Sequence, residues 1–151
     1  MPDAGRVVTG LAGGLRLEAP GAGTRPLSDK VKQALFSMVE AEREDVWEQP
    51  MLDLFAGSGA AGIEALSRGA PAAVLVEKEG RAAGVIRRNL ERTHLAAEAT
   101  VVRKAVLGWL AAAPAAPAPF GCVVLDPPYP QVADLLGALE RLGDPAAGWL
   151  D

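Results

Sequence analysis

Residues 51–62 read MLDLFAGSGAAG, an apolar run that passes directly into a glycine-rich turn and then into small residues. Gly57, Gly59 and Gly62 match the GxGxxG spacing, which joins a buried strand to a helix and lets the backbone approach a nucleoside ligand. Glu77 ends the next apolar run, near the offset of about 20 residues at which an acid accepts hydrogen bonds from ribose hydroxyls. The segment therefore predicts a strand, a turn and a helix that together bind a nucleoside cofactor.

The glycine turn alone permits a dinucleotide, S-adenosylmethionine, or no ligand at all if it is merely a tight connection. Asp53 lies within the first strand, four residues before Gly57. A carboxylate at this place would repel a bound pyrophosphate, whereas it would attract a cofactor that carries ammonium and sulfonium groups. Asp53 therefore favours S-adenosylmethionine, and with it a methyltransferase, over NAD.

A second motif, DPPY at residues 126–129, follows a later apolar run. Doubly wound domains place their ligands beyond the carboxyl ends of the strands, where such a motif would lie. The Asp126 carboxylate and the Pro127 carbonyl could accept both hydrogens of an exocyclic amine, and Pro128 would help to fix the backbone. Tyr129 could stack on a base, an interaction worth about 1–3 kcal/mol. The motif predicts a catalytic site for base amines, the alternative being an ordinary boundary between a strand and a turn.

Strand and helix patterns alternate along the chain, which predicts an α/β fold with a doubly wound, mostly parallel sheet. Proline interrupts residues 111–119, so this stretch is predicted to be a linker inside the domain. Such a sheet would normally continue with more strands, and the C-terminal strands are expected to be missing here, which would leave an open edge. The predicted strands are 51–55, 73–76, 100–102 and 120–125, and the predicted helices are 60–67, 79–93, 106–110 and 132–142.

Residues 1–49 are predicted to form a hairpin and a helix that belong to the same domain as the cofactor-binding core at residues 50–151. The hairpin is expected over residues 7–17, and Ser28 can cap the helix that follows. The apolar side chains of that helix fall on one predicted inner face, which consists of Val31, Leu35, Met38 and Val39.

Composition narrows the class of protein. Half of the 151 residues are hydrophobic, so the chain can bury a core. One cysteine and one histidine exclude a disulfide scaffold and a zinc site, so no metal is expected. No apolar run has the length of a signal peptide or a membrane span, which favours a cytoplasmic protein. The net charge is -4, but residues 68–104 carry eight basic side chains against four acidic ones.

Three segments carry a resemblance to a known family: RPLSDKVKQALFSMV at 25–39, LDLFAGSGAAGIEALSRGA at 52–70 and VVLDPPY at 123–129. With them the chain resembles the bacterial 16S ribosomal RNA guanine-N2 methyltransferases of the guanine-966 type. The resemblance covers nearly the whole chain, and the first segment distinguishes this family from other methyltransferases.

The resemblance implies a class I methyltransferase fold, S-adenosylmethionine as the methyl donor and a guanine of small-subunit RNA as the acceptor. Glu77 would hold the ribose, Lys78 would contact the cofactor, and the segment around Arg25 and Lys30 would close over the cofactor or contact RNA. The methionine part of the cofactor would be surrounded by Asp53, Phe55, Ala56, Gly57, Ser58 and Gly59, with Asp126 beside it. Asp126, Pro127, Pro128 and Tyr129 would hold the target base.

The chain departs from the family at Arg103-Lys104-Ala105, where an acid usually meets the adenine amino group. Lys104 and Ala105 would then contact the cofactor through backbone groups. A domain of this size would read a preformed RNA surface in an assembled or assembling small subunit, with the base extruded. Three alternatives stay open: methyl transfer to adenine N6 or cytosine N4, an NAD-dependent dehydrogenase, and a non-catalytic RNA-binding or assembly module of the same fold.

Overall fold

A computed structural model describes residues 3–21, 28–128 and 131–151. The predicted roles of Arg25 and Tyr129 therefore lie outside the described residues. The chain starts with an antiparallel hairpin of β1 (Asp3–Arg6) and β2 (Arg16–Glu18). The predicted hairpin is present, but most of residues 7–17 form its connection, because Gly10 and Gly14 adopt positive φ angles that turn the chain.

Helix α1 (Asp29–Glu42) begins where the sequence predicted, because the Ser28 hydroxyl accepts a hydrogen bond from the amide of Val31 at 3.2 Å. Its predicted inner face is wrong. Val31 and Met38 are exposed, and the face that packs on the core buries Phe36 and, unexpectedly, Lys32.

The described residues form one four-stranded parallel sheet in the order β5-β4-β3-β6. Alternate side chains of each central strand point to opposite faces, and both faces are buried. This arrangement confirms the predicted α/β class and the doubly wound parallel sheet. The strands are β3 (Met51–Leu54), β4 (Ala73–Val76), β5 (Ala99–Val102) and β6 (Cys122–Leu125).

Helices cover both faces of the sheet. Helices α2 (Ala60–Ser67) and α3 (Gly80–Arg92) pack on one face together with the hairpin and α1. Helices α4 (Val106–Leu110) and α5 (Ala133–Gly143) pack on the other. In the described part of the chain, no helix is long and apolar enough to cross a membrane.

Strand β6 lies at one edge of the sheet that the described residues form. Just before it, Phe120 pairs in parallel with Leu150: the Phe120 amide donates to the Trp149 carbonyl at 2.9 Å, and the Asp151 amide donates to the Phe120 carbonyl at 3.0 Å. These bonds hold the residues that follow α5 beside the start of β6.

Candidate active site

A cavity of about 930 Å³ opens at the carboxyl ends of β3, β4 and β6, where a doubly wound sheet receives its ligands. Its walls come from the turn at residues 55–58, from the end of β4 at residues 77–79, and from residues 126–128 after β6. Because these strands are parallel and in register, the residues that follow them are brought to one edge. The two motifs that the sequence singled out thus lie around one cavity.

The glycine turn passes close to the cavity with an unusual backbone. Phe55, Gly57 and Gly59 have φ angles of 59°, 59° and 82°, a region that glycine adopts freely and phenylalanine rarely does. Further along, a side chain at Gly62 would meet the Leu75 side chain at 2.7 Å. The glycines therefore form the turn and allow α2 to approach the sheet closely, as the GxGxxG pattern predicted.

Glu77 is fixed by backbone groups on both sides of its carboxylate. One oxygen accepts a hydrogen bond from the Gly57 amide at 3.0 Å, and the other accepts from the Glu79 amide at 2.9 Å. Each carboxylate oxygen can accept a second hydrogen bond. The carboxylate is thus held at the cavity wall with free acceptor capacity, which suits a pair of ribose hydroxyls.

Asp53 is the most deeply buried acid of the cavity, with 2% of its surface exposed. The Gly62 amide donates to it at 3.0 Å, and it forms no ion pair with the described residues. Burial raises the pKa of Asp53 to about 8, the Gly62 hydrogen bond opposes this rise, and the nearby carboxylates of Asp126 and Glu77 add to it. Asp53 therefore has no positive charge beside it in the described part of the chain, and a cationic ligand could supply one.

Asp126 lies at the mouth of the cavity, directly after β6. The pairing of Leu54 with Leu125 sets Asp126 on the rung next to Phe55 of the glycine turn. Although Asp126 is exposed on one side, loss of water on its protein-facing side raises the pKa of its carboxyl. Pro127 and Pro128 also line the cavity.

The N-terminal part of the chain supplies another wall. Pro20, Ser28 and Val31 line the cavity, which explains why Val31 is absent from the core face of α1. Lys30, which was predicted to meet the cofactor or RNA, is exposed and lies outside the cavity lining.

Three residues predicted to bind the cofactor also lie outside the cavity lining. Gly59 caps α2 behind the turn, Lys104 is exposed after β5, and Ala105 caps α4. Val106, directly after Ala105, does line the cavity, so the connection that follows β5 reaches it at one residue. The other predicted residues of the described chain, including Phe55, Ala56, Gly57, Ser58 and Lys78, line it.

Asn89 is fully buried on α3, a location that its sequence context did not predict. Its side-chain nitrogen donates to the carbonyls of Ser58 and Glu18, each at 2.9 Å, and its oxygen accepts from the Glu18 amide at 2.9 Å. Asn89 thereby joins the glycine turn to the hairpin. The only available signal was a short amide between apolar positions of the helix.

Within the described residues, no group of three or more histidine, cysteine, aspartate or glutamate side chains is placed to hold a metal ion. Cys122 lies beside Asp53 in β6, and burial, followed by the charge of Asp53, raises the pKa of its thiol to about 11. This thiol therefore stays protonated at neutral pH.

Residues 5–147 match the family described as Conserved hypothetical protein 95. The chain is 39% identical over 125 residues to YlbH of Bacillus subtilis and 36% identical over 125 residues to ribosomal RNA small subunit methyltransferase D of Escherichia coli. Each match covers 82% of this chain, and 66% and 60% of the respective relatives. The chain thus spans less than two thirds of the length of these relatives.

A solved structure of a hypothetical protein from Thermus thermophilus has the same fold. It is 35% identical, and the superposition covers 97% of this chain and 80% of that one, with a TM-score of 0.81. The chain therefore belongs to the family described as Conserved hypothetical protein 95, and the resemblance to bacterial small-subunit ribosomal RNA methyltransferases that its sequence indicated is confirmed.

Proposed function

We propose that this chain transfers a methyl group from S-adenosylmethionine to the exocyclic N2 amine of a guanine in 16S ribosomal RNA. The observation that carries the proposal is the meeting of three carboxylates, those of Asp53, Glu77 and Asp126, around one cavity at the carboxyl edge of the sheet. The name of the Escherichia coli relative, ribosomal RNA small subunit methyltransferase D, supports methyl transfer to small-subunit ribosomal RNA.

The charges and hydrogen-bond acceptors of the cavity suit this cofactor. Asp53, buried without a cationic partner among the described residues, would face the ammonium and sulfonium groups. Glu77, held by two backbone amides, would accept the ribose hydroxyls. A pyrophosphate would meet three carboxylates, which argues against a dinucleotide. When bound, S-adenosylmethionine supplies an electrophilic methyl group.

The residues after β6 would prepare the acceptor amine. The lone pair of such an amine is delocalised into the ring, so the nitrogen is a poor nucleophile. If the Asp126 carboxylate and the Pro127 carbonyl each accept one of its hydrogens, the nitrogen becomes pyramidal and its lone pair becomes available. The two prolines restrict the backbone, so these acceptors need little reorganisation during the reaction.

Asp126 would also handle the proton. The nitrogen gains a methyl group while the carbon–sulfur bond breaks, and it must then lose one proton to become neutral. Partial burial raises the pKa of Asp126, which makes its carboxylate a better acceptor for that proton. Since Asp126 is exposed at the cavity mouth, it can pass the proton to water.

The substrate would be a structured site in the cytoplasm. The target guanine would leave its stack and enter the cavity, as in other enzymes that act on bases. Recognition would rest on a preformed RNA surface in an assembled or assembling small subunit, because RNA is read mainly by shape and by exposed bases.

The test is transfer of a radiolabelled methyl group by the 151-residue chain to 16S ribosomal RNA and to small subunits, followed by nucleotide mapping. We expect label in N2-methylguanine. Asp126→Asn should lower kcat at least about 100-fold, because it weakens the acceptor for the amine hydrogens. The matched control is Asp134→Asn on α5, whose side chain forms no hydrogen bond or ion pair within the described residues.

Two results would contradict the proposal. A folded chain that fails to bind S-adenosylmethionine in a calorimetric titration would exclude it as the methyl donor. Label found in N6-methyladenine or N4-methylcytosine would retain the methyltransferase and exclude the guanine acceptor.

A further inference from the structure

Four basic side chains stand together at the edge of the sheet where the cavity opens. Lys78 follows β4, Arg81 lies in the first turn of α3, and Arg103 and Lys104 follow β5. All four are exposed. We call these four residues the basic rim.

The parallel pairing of β4 and β5 brings the basic rim together. Val76 is paired with Val102, and the amides of Glu77 and Lys104 both donate to the Val102 carbonyl, at 2.9 and 3.2 Å. The Arg103 guanidinium lies against Gly80, where an added side chain would meet its Cζ atom at 2.7 Å. Two neighbouring strands and the start of α3 thus supply one continuous surface.

None of the four members of the basic rim forms an ion pair with the described residues. By contrast, Arg16, Arg43, Arg68 and Arg88 each pair with at least one acid. The nearby acids Glu77 and Glu79 bring two formal negative charges against the four positive charges of the rim, so the rim keeps a positive balance. Grouped cations without partners repel one another, and a polyanion would relieve that repulsion.

The basic rim borders the candidate active site. Lys78 and Arg81 line the same cavity as Asp126. Asp126 follows β6, which is two strands away from β4 and three from β5 in the sheet. With strands about 4.8 Å apart, the rim lies roughly 10–14 Å from the residues that would hold the target base. A nucleic-acid strand that places one base at Asp126 can therefore reach the rim with its neighbouring phosphates.

We propose that the basic rim binds the backbone phosphates of the RNA strand whose base enters the cavity. The inference rests on the proposed function and deepens it, because it gives the RNA a course along the carboxyl edge of the sheet from β6 towards β5. Arg103 and Lys104 would then contact the RNA substrate. This agrees with the position of Lys104, which does not line the cavity.

The test compares binding of a 16S ribosomal RNA transcript by the wild-type chain, by Lys104→Glu and by the double variant Arg103→Glu/Lys104→Glu. At about 0.1 M salt we expect the double variant to raise the Kd at least tenfold. The slope of log Kd against log salt should shrink by about 0.7 for each phosphate contact that is lost. Arg87→Glu on α3 is the matched control, since Arg87 is exposed, has no ion pair among the described residues and lies outside the rim.

Calorimetry with S-adenosylmethionine on the same proteins separates the outcomes. Unchanged cofactor affinity with weakened RNA binding in the rim variants supports the inference. Equal RNA affinity and salt slope in wild type, rim variants and control would overturn it while leaving the proposed function intact. Loss of cofactor affinity without loss of RNA affinity would also overturn it and return Lys104 to the cofactor site. If the wild-type chain binds cofactor but neither the transcript nor small subunits, the RNA substrate and the inference fail together.

Discussion

The Asp53 carboxyl sits in the cavity as a buried acid without a cationic partner among the described residues. Burial raises its pKa to about 8, so it is mainly protonated at neutral pH before a ligand binds. A cationic ligand favours the ionised carboxylate, and binding at pH 7 should therefore release a proton. Below pH 8, the affinity for S-adenosylmethionine should fall by up to about tenfold per pH unit as protonation of Asp53 competes with the ligand.

Calorimetric titration in buffers of different ionisation enthalpy measures this proton release. Asp53→Asn provides the control, because it keeps the shape and cannot ionise. It should bind the cofactor more weakly, and any pH dependence it retains belongs to other groups.

The raised pKa of Asp53 also predicts how the stability of the fold depends on pH. Relative to the asparagine variant, the wild-type free energy of unfolding should fall as pH rises from 4 to 8, because the unfolded chain releases the Asp53 proton near pH 4 while the folded chain retains it up to about pH 8. Identical pH profiles for both proteins would contradict the assignment.

At the level of helices and strands, the sequence predicts most boundaries because both faces of the sheet are apolar and its turns contain glycine or proline. Helix α2 and strand β4 begin and end at the predicted residues. The inner face of α1 could not be predicted, because it buries Lys32 and exposes Val31. A hydrophobicity pattern cannot predict that a lysine is buried, because the acid that compensates the charge of Lys32 is Glu64, which is distant in the sequence.

The same limit applies to the candidate site. Asp53, Glu77 and Asp126 could be predicted because each one directly follows or lies within an apolar strand that precedes a recognisable turn. Asn89 could not, because its function depends on three backbone groups, those of Ser58 and Glu18, that only the folded chain brings together.

Asn89 holds the glycine turn against the end of β2, and removing this link should loosen the turn. Asn89→Asp keeps the oxygen that accepts from Glu18 but sets an oxygen against the carbonyls of Glu18 and Ser58. We expect a stability loss of about 1–3 kcal/mol. The affinity for S-adenosylmethionine should also fall, because Ser58 lines the cavity.

A nearby variant separates loss of stability from loss of this link. Thr93→Val removes buried hydrogen bonds that the hydroxyl donates to the carbonyls of Asn89 and Leu90, which lie within the same helix. It should lower stability and leave cofactor affinity near the wild-type value. If the two variants weaken cofactor binding equally, or if neither does, Asn89 has no positioning role beyond general stability.

Across the whole molecule, a buried polar network joins the N-terminal hairpin and α1 to the core through Glu64 of α2. Glu64 is fully buried and accepts hydrogen bonds from the amides of Val8 and Thr9 at 2.8 and 3.1 Å. It also pairs with Arg68 at 2.8 Å and with Lys32 at 3.7 Å. Burial lowers the pKa of Lys32, while the charge of Glu64 opposes that change. Since Pro20, Ser28 and Val31 come from the segments that this network anchors, it also positions one wall of the cavity.

Glu64→Gln should therefore cost more stability than the loss of any exposed ion pair. The change removes the charge that faces Lys32 and Arg68, and breaking a buried pair of this kind costs about 3–5 kcal/mol. Urea unfolding measures the loss. Arg43→Ala, which breaks exposed pairs with Asp45 and Asp151, should cost at most about 1 kcal/mol.

Adding Lys32→Met to Glu64→Gln should recover part of the loss, because the lysine charge is then no longer buried without its partner. If Glu64→Gln costs no more than Arg43→Ala, or if Lys32→Met recovers nothing, the buried charges of Glu64 and Lys32 do not anchor the N-terminal wall to the core.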